Sequence, residues 1–153
     1  MHLVIGCDEA GYNLKESIKS YLEKKGIEVD DYGAYDTTAV LYPDIAVEVS
    51  KAIAEGKFDR GILICGTGIG MAIAANKVPG IRAAVCHDPY SAERARKSNN
   101  AQIIALGARV VGEELAKTLL SIWLDSEFQG GGSTAKVEKI AQYEHEFYNK
   151  SAV

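Results

Sequence analysis

The sequence predicts an α/β protein: a three-layer α/β/α sandwich around a five-stranded, parallel, Rossmann-like sheet. Three observations predict it. Short apolar runs alternate five times with segments of helical periodicity, the order that produces a parallel sheet covered by helices on both faces. The run GILIC at 61–65 is apolar throughout, as befits a strand buried on both faces. The chain of 153 residues, 47% hydrophobic and 25% charged, has the size and composition of one globular domain with a full core.

The elements follow in order. MHLVIG is the first strand, ending at Gly6. In NLKESIKSYLEKKG, Leu14, Ile18, Tyr21 and Leu22 fall at i, i+4, i+7 and i+8, one face of a helix, with Asn13 as N-cap and Gly26 as its stop. IEVDDYG (27–33) reads as the second strand. Pro43 opens a second helix that turns Ala46, Val49 and Ile53 inward. After GILIC a helix starts in the glycine loop and runs to Lys77. IRAAVC (81–86) and QIIAL (102–106) are strands separated by the helix SAERARKSN (91–99), and a further helix carries Leu115, Leu119, Ile122 and Trp123. The low-complexity stretch QGGGST then divides residues 1–128, the α/β domain, from 129–153, a glycine-rich hinge and a C-terminal helix expected to pack on a partner subunit.

Composition excludes several functions. With 17 Lys and Arg against 21 Asp and Glu, the net charge of -4 offers nucleic acid no basic face. No apolar stretch reaches the roughly 18 residues of a membrane span, and the N-terminus does not read as a signal peptide. Cys7, Cys65 and Cys86 are odd in number and form no CxxC pair, which predicts free thiols in a reducing, cytoplasmic setting and no zinc site.

Ligands of open parallel sheets bind beyond the carboxyl ends of the strands. That singles out residues 7–11, 33–42, 65–70, 87–90 and 107–109. Cys65 stands at the end of the third strand, followed by Gly66, Thr67, Gly68, Ile69 and Gly70. Such a loop brings backbone N–H groups close to negative charge, whether a thiolate, a phosphate or an enediolate oxygen. It matches neither GxxxxGK[ST] nor GxGxxG. The spacing alone leaves a second reading open, a structural cysteine followed by a close-packed turn.

CDEAGYNLK, YPD (42–44), ICGTGIGMAIAANK, GIRAAVC, PYSAERARKSNNAQ and GARVVG, in this order from residue 1 to about 142, together resemble type B ribose-5-phosphate isomerase and its relative galactose-6-phosphate isomerase. The resemblance implies an aldose–ketose isomerase that acts on a sugar phosphate without metal or organic cofactor. Its default reaction is ribose 5-phosphate to ribulose 5-phosphate through a cis-enediolate. It implies Cys65 as the base. Thr67 and the N–H groups around Gly66, Gly68 and Gly70 hold the enediolate oxygen. Asp8, Tyr42 and Asn99 contact the sugar, and Arg109 contacts the phosphate. In this family the site is built across a dimer interface, so a homodimer or homotetramer is expected.

The sequence departs from the family pattern at defined places. The family's Asp-His is Asp8-Glu9. Its His-Asn, whose histidine opens the furanose ring, is Ser98-Asn99. Its Gly-Gly-Arg, with a second arginine four residues on, is met by the stretch Gly130-Gly131-Gly132-Ser133, with Lys136 at the second arginine position. Ring opening thus lacks its usual group, which His87 replaces if it faces the site; otherwise His87 is a surface loop residue. Lys136 cannot copy bidentate arginine contacts. Glu9 either accepts from a sugar hydroxyl or is a solvated residue at a helix start. Three alternatives follow: an isomerase of another, open-chain sugar phosphate or of a free sugar; the Cys-bearing subunit of a two-chain galactose-6-phosphate-type enzyme; or a non-catalytic sugar-phosphate-binding relative. The intact Cys65-Gly66-Thr67-Gly68 argues against the last, since binding needs no thiol.

Overall fold

In the computed structural model, which describes residues 1–150, strands and helices alternate in the expected order. They are β1 (Leu3–Cys7), α1 (Tyr12–Lys24), β2 (Val29–Asp31), α2 (Tyr42–Ala54), β3 (Arg60–Cys65), α3 (Ile69–Ala75), β4 (Ala83–Val85), α4 (Pro89–Lys97), β5 (Ile103–Gly107), α5 (Glu113–Leu124) and α6 (Thr134–Lys150). The strands form one parallel sheet in the order β2-β1-β3-β5-β4. Short 3-10 turns at Glu9–Gly11 and Gly131–Ser133 precede α1 and α6.

The central strands β1, β3 and β5 are buried along their whole length. Successive side chains of a strand point to opposite faces, and this divides the core in two. Leu3, Ile5, Ile62, Ile64, Ile104 and Leu106 pack under α1, α4 and α5, where Trp123 is fully buried. Val4, Leu63, Ile103 and Met71 pack with α2 and α3 on the other face. Each large apolar side chain so buried contributes on the order of 1.5–3 kcal/mol.

Four details differ from the sequence expectation, each for a local reason. The edge strands β2 and β4 have 3 residues each rather than the full apolar runs; short edges offer little unpaired backbone to other chains. Asp8, not Asn13, caps the start of the first helical segment, its Oδ1 accepting from Ala10 N and Gly11 N at 3.0 and 3.1 Å. The helix after the glycine loop ends at Ala75 instead of reaching Lys77, because the Asn76 amide leaves the helix to bond both backbone groups of Ala83, at 2.9 and 2.8 Å. α4 begins earlier than expected, at Pro89, because Asp88 caps it by accepting from Ser91 N at 2.8 Å.

The connections leave β1 and β3 in opposite directions, so the crevice beyond their carboxyl ends is the topological switch point of the sheet. No helix of the described residues is long and apolar enough to cross a membrane.

Candidate functional site

Three turns meet at this crevice, those after β1, β3 and β5, and the backbone ties them together. Asp8 N donates to Ile64 O at 3.1 Å, Ala108 N to Cys65 O at 2.8 Å and Arg109 N to Gly66 O at 3.0 Å. Cys65 lies between them, 5% exposed, on the α2/α3 side of the sheet.

The hydrogen bonding of Cys65 sets it apart from the other thiols. Cys7 Sγ donates to Ala34 O, and Cys86 Sγ to Ala84 O and Ser91 O. Burial pushes both of those thiols up to about 11, so they stay protonated near neutrality. Cys65 Sγ instead accepts, from Gly68 N at 3.1 Å. Gly68 reaches that position with φ 78°, and a Cβ there would stand 3.1 Å from the Leu106 carbonyl carbon. Only glycine meets both conditions at little cost. The Gly68 N–H is therefore directed at the sulfur rather than left for a substrate oxygen. Thr67 Oγ1 accepts from Ile69 N at 3.3 Å, which leaves its hydroxyl proton to donate elsewhere.

Around this loop stand four of the other expected residues. The Arg109 guanidinium lies over Gly66, its Nη1 3.2 Å from where a Cβ would be. Tyr42, first residue of α2, lays its ring over Gly70, 2.5 Å from a Cβ placed there. Asp8 is 8% exposed. Burial raises its pKa, against the opposing pull of its two capping N–H donors, and Arg109 adds a smaller lowering effect. Glu9 is half-exposed and accepts from Val40 N at 3.1 Å. Its own N–H and that of Val40 hold its carboxyl below the usual range, with Arg109 contributing.

His87 has a role that neither sequence reading described. It is half-buried, and its Nε2 accepts from Gly107 N at 2.9 Å. Gly107 pairs with Cys65 across the sheet and backs directly onto Thr67, whose Cα would be 2.8 Å from any Cβ at that position. The imidazole thus props the end of β5 against which the glycine loop packs. Accepting at Nε2 requires the neutral ring with its proton on Nδ1. Burial lowers the pKa of His87, in keeping with that state, although Asp88 pulls the other way.

Ser98 and Asn99 do not join this cluster within the chain. Ser98 is the C-cap of α4, and Asn99 follows it. Both precede β5, at the amino edge of the sheet, and β5 alone separates that edge from Cys65 by about 13 Å at ~3.3 Å per residue. Asn99 borders a cavity of about 350 Å³ together with Asn76, Arg82, Ala84, Ile140 and Glu144. Lys136 is exposed in the first turn of α6.

One supporting residue was missed in the sequence. Lys15 is fully buried, and its Nζ donates to Asp31 Oδ1 and Oδ2 at 2.8 and 2.9 Å and also to Ala34 O. Burial alone would raise the Asp31 carboxyl, but the hydrogen bonds from Lys15 and Lys19 outweigh it and hold the group low. The signal was present: Lys15 shares the inward face of α1 with Ile18 and Leu22. Among the described residues, no group of three or more His, Cys, Asp or Glu side chains converges as metal ligands.

Comparison with known proteins gives concordant matches. A family model described as Ribose/Galactose Isomerase matches residues 3–140. A D-erythrulose-4-phosphate isomerase of Pectobacterium atrosepticum is 61% identical over 148 residues, which is 95% of this chain and 97% of the relative. A ribose-5-P isomerase B of Listeria innocua is 56% identical over 142 residues, 93% and 96% of the two chains. The solved structure of Clostridium thermocellum ribose-5-phosphate isomerase B superposes with a TM-score of 0.94 at 50% identity, covering 96% of this chain and 99% of that one.

Proposed function

The chain belongs to the ribose/galactose isomerase family and is a sugar-phosphate isomerase, and on that premise we propose that its substrate is a four-carbon ketose 4-phosphate, with Cys65 as the base. One observation carries the choice of substrate. Position 98, where the resemblance places a ring-opening histidine, holds Ser98. A four-carbon sugar with phosphate on its fourth oxygen has no free hydroxyl that can close a furanose ring. It stays open-chain and needs no ring-opening group. The Pectobacterium relative, named for D-erythrulose 4-phosphate, supports the same reading.

The site's own residues supply the steps. The Cys65 thiolate takes a proton from C1 of the ketose, next to the C2 carbonyl. The electron pair left on C1 forms the C1–C2 double bond, and the negative charge moves to O2. Thr67 donates its hydroxyl proton toward that oxygen, and the N–H groups of the loop add positive potential around it. A proton then passes from O1 to O2, and the Cys65 thiol returns its proton to C2. The product is the aldose, and the thiolate is regenerated. Arg109, over Gly66, is the phosphate ligand that this chain offers at the site.

Ser98, Asn99 and Lys136 serve the site of a second copy in this reading. The place of Ser98 and Asn99 at the opposite edge of the sheet keeps them from the Cys65 of their own chain, which supports an oligomeric enzyme. The glycine hinge and α6 would then deliver Lys136 to the partner.

The test is deuterium incorporation in heavy water, followed by NMR, over four-, five- and six-carbon sugar phosphates and their free sugars. The expected result is label entering next to the carbonyl of the four-carbon phosphate, lost in Cys65→Ala by at least about 10³-fold while the protein stays folded. Faster labelling of ribose 5-phosphate would overturn the four-carbon reading in favour of the five-carbon one. Labelling that survives Cys65→Ala would remove the thiol from the mechanism.

A further inference from the structure

Residues 35–41 between β2 and α2 are exposed throughout, yet they lead directly to Tyr42 over the glycine loop. The base of this span is fixed by Lys15, by Gly33 N donating to Asp31 Oδ1 at 2.8 Å and by Tyr35 Oη donating to Asp31 O at 3.1 Å. Its tip is turned by Asp36, which accepts from Thr38 N at 2.8 Å. Between Asp36 and Leu41, among the described residues, the one hydrogen bond that joins the span to another part of the molecule is Val40 N to Glu9 Oε2, at 3.1 Å. Glu9 is itself rigidly placed. It begins the 3-10 turn that Asp8 caps, immediately beyond β1, and Gly11 of that turn packs against the Ile64 carbonyl, 2.7 Å from a Cβ placed there. A fixed strut therefore meets a span that is otherwise open to solvent, at the point where the span enters the site.

We propose that Glu9 is a specificity-determining positioning residue: by holding the Val40 N–H it keeps residues 36–42 drawn in over the glycine loop and sets the length of sugar phosphate that fits beneath them. This deepens the isomerase reading and rests on it. Position 9 is one of those where the sequence leaves the family pattern, as position 98 is. A tether that shortens the site and the loss of a ring-opening group suit the same short, open-chain substrate. Arg109 lies over Gly66, so a phosphate held by it lies toward the glycine loop, and repulsion from the Glu9 carboxylate is least when the phosphate stays away from Glu9.

Two variants separate the tether from the charge. Glu9→Ala removes both. Glu9→Gln retains an oxygen that accepts from Val40 N and removes only the charge. The readouts are amide hydrogen exchange at Val40 in the unliganded protein, and KM and kcat on a four-carbon ketose 4-phosphate and on ribose 5-phosphate. Glu9→Ala is expected to speed Val40 exchange about fivefold, the equivalent of one modest hydrogen bond. It should raise KM for the four-carbon substrate by about five- to tenfold with kcat little changed, and move the kcat/KM ratio toward the five-carbon substrate by about fivefold. Glu9→Gln should keep Val40 exchange and the ratio within about twofold of wild type. Unchanged Val40 exchange in Glu9→Ala, or Glu9→Gln behaving like Glu9→Ala, would overturn the proposal. A wild-type enzyme that turned over only ribose 5-phosphate would defeat the four-carbon reading instead; Val40 exchange and the KM for ribose 5-phosphate would still decide the tether.

Discussion

The two edges of the sheet are built to different standards. At the carboxyl edge, Cys65 is 5% exposed, each turn is bonded to its neighbour, and Gly66, Gly68, Gly70 and Gly107 are wedged against the Arg109 side chain, backbone or the Tyr42 ring. At the amino edge and in the hinge, Asn99 and Lys136 are exposed, Ser98 is half-exposed, and Gly131 and Gly132 have nothing within 4 Å of a Cβ. The half of the proposed site that holds Cys65 is braced within one chain, where a change at Cys65, Gly68 or Gly107 meets a neighbour. The other half stands in solvent, where side chains are exchanged at little cost to folding. Every departure from the family pattern, at Glu9, Ser98, Gly132 and Lys136, falls on a half-exposed or exposed position. Packing fixes the surroundings of Cys65, whereas the positions that leave the family pattern are at least half open to solvent.

That comparison is sharpened most by Ser98→His. Restoring a ring-opening group should raise kcat/KM for ribose 5-phosphate by about 10²-fold, the usual contribution of one positioned acid or base, and leave the open-chain four-carbon substrate unchanged. Equal gains on both substrates would break the link between position 98 and ring opening.

The next effect contrasts a glycine from each region. Gly68→Ala imposes φ 78° on an L residue and pushes against Leu106, so it should cost about 1–3 kcal/mol in thermal or denaturant unfolding and more than about tenfold in kcat. Gly132→Ala, with free space around it, should stay within about 0.5 kcal/mol. Similar losses for the two would contradict the distinction drawn between the edges.

His87 provides a pH-dependent test. Its pKa in the folded protein lies below the ordinary 6.5, through burial. Its contribution to stability is therefore complete above about pH 6.5 and is lost as pH falls through the folded value, because the unfolded chain binds the proton more readily. A protonated ring also cannot accept from Gly107 N, so kcat should fall over the same acid range. His87→Ala should lower stability by about 0.5–1 kcal/mol at neutral pH and flatten the acid limb of the stability profile. The smallest change is expected from Lys136→Arg, a gain of a few-fold in affinity for the phosphate group from bidentate geometry, with no effect on unfolding, as titration calorimetry would show.

The parts of this protein that were legible in the sequence are those set by short-range patterns. Continuous apolar runs marked β1, β3 and β5, and Leu14, Ile18 and Leu22 marked the buried face of α1, because strand and helix periods are properties of neighbouring residues. The position of Cys65, at the end of a buried strand with glycines after it, followed from the same logic. The sequence by itself therefore determined the α/β/α architecture and the place of Cys65 at the carboxyl edge of the sheet. Only the tertiary structure decided which groups those residues meet. Gly107 and His87 are 20 positions apart, and Val40 and Glu9 are 31 apart; no local period connects them. The structure turned Asp8 into a cap, buried Lys15 against Asp31, and set Ser98 at the edge of the sheet opposite the thiol of its own chain. A side chain's role depends on the partner that the fold brings to it, and that partner is fixed by strand order and packing, which the linear pattern does not contain.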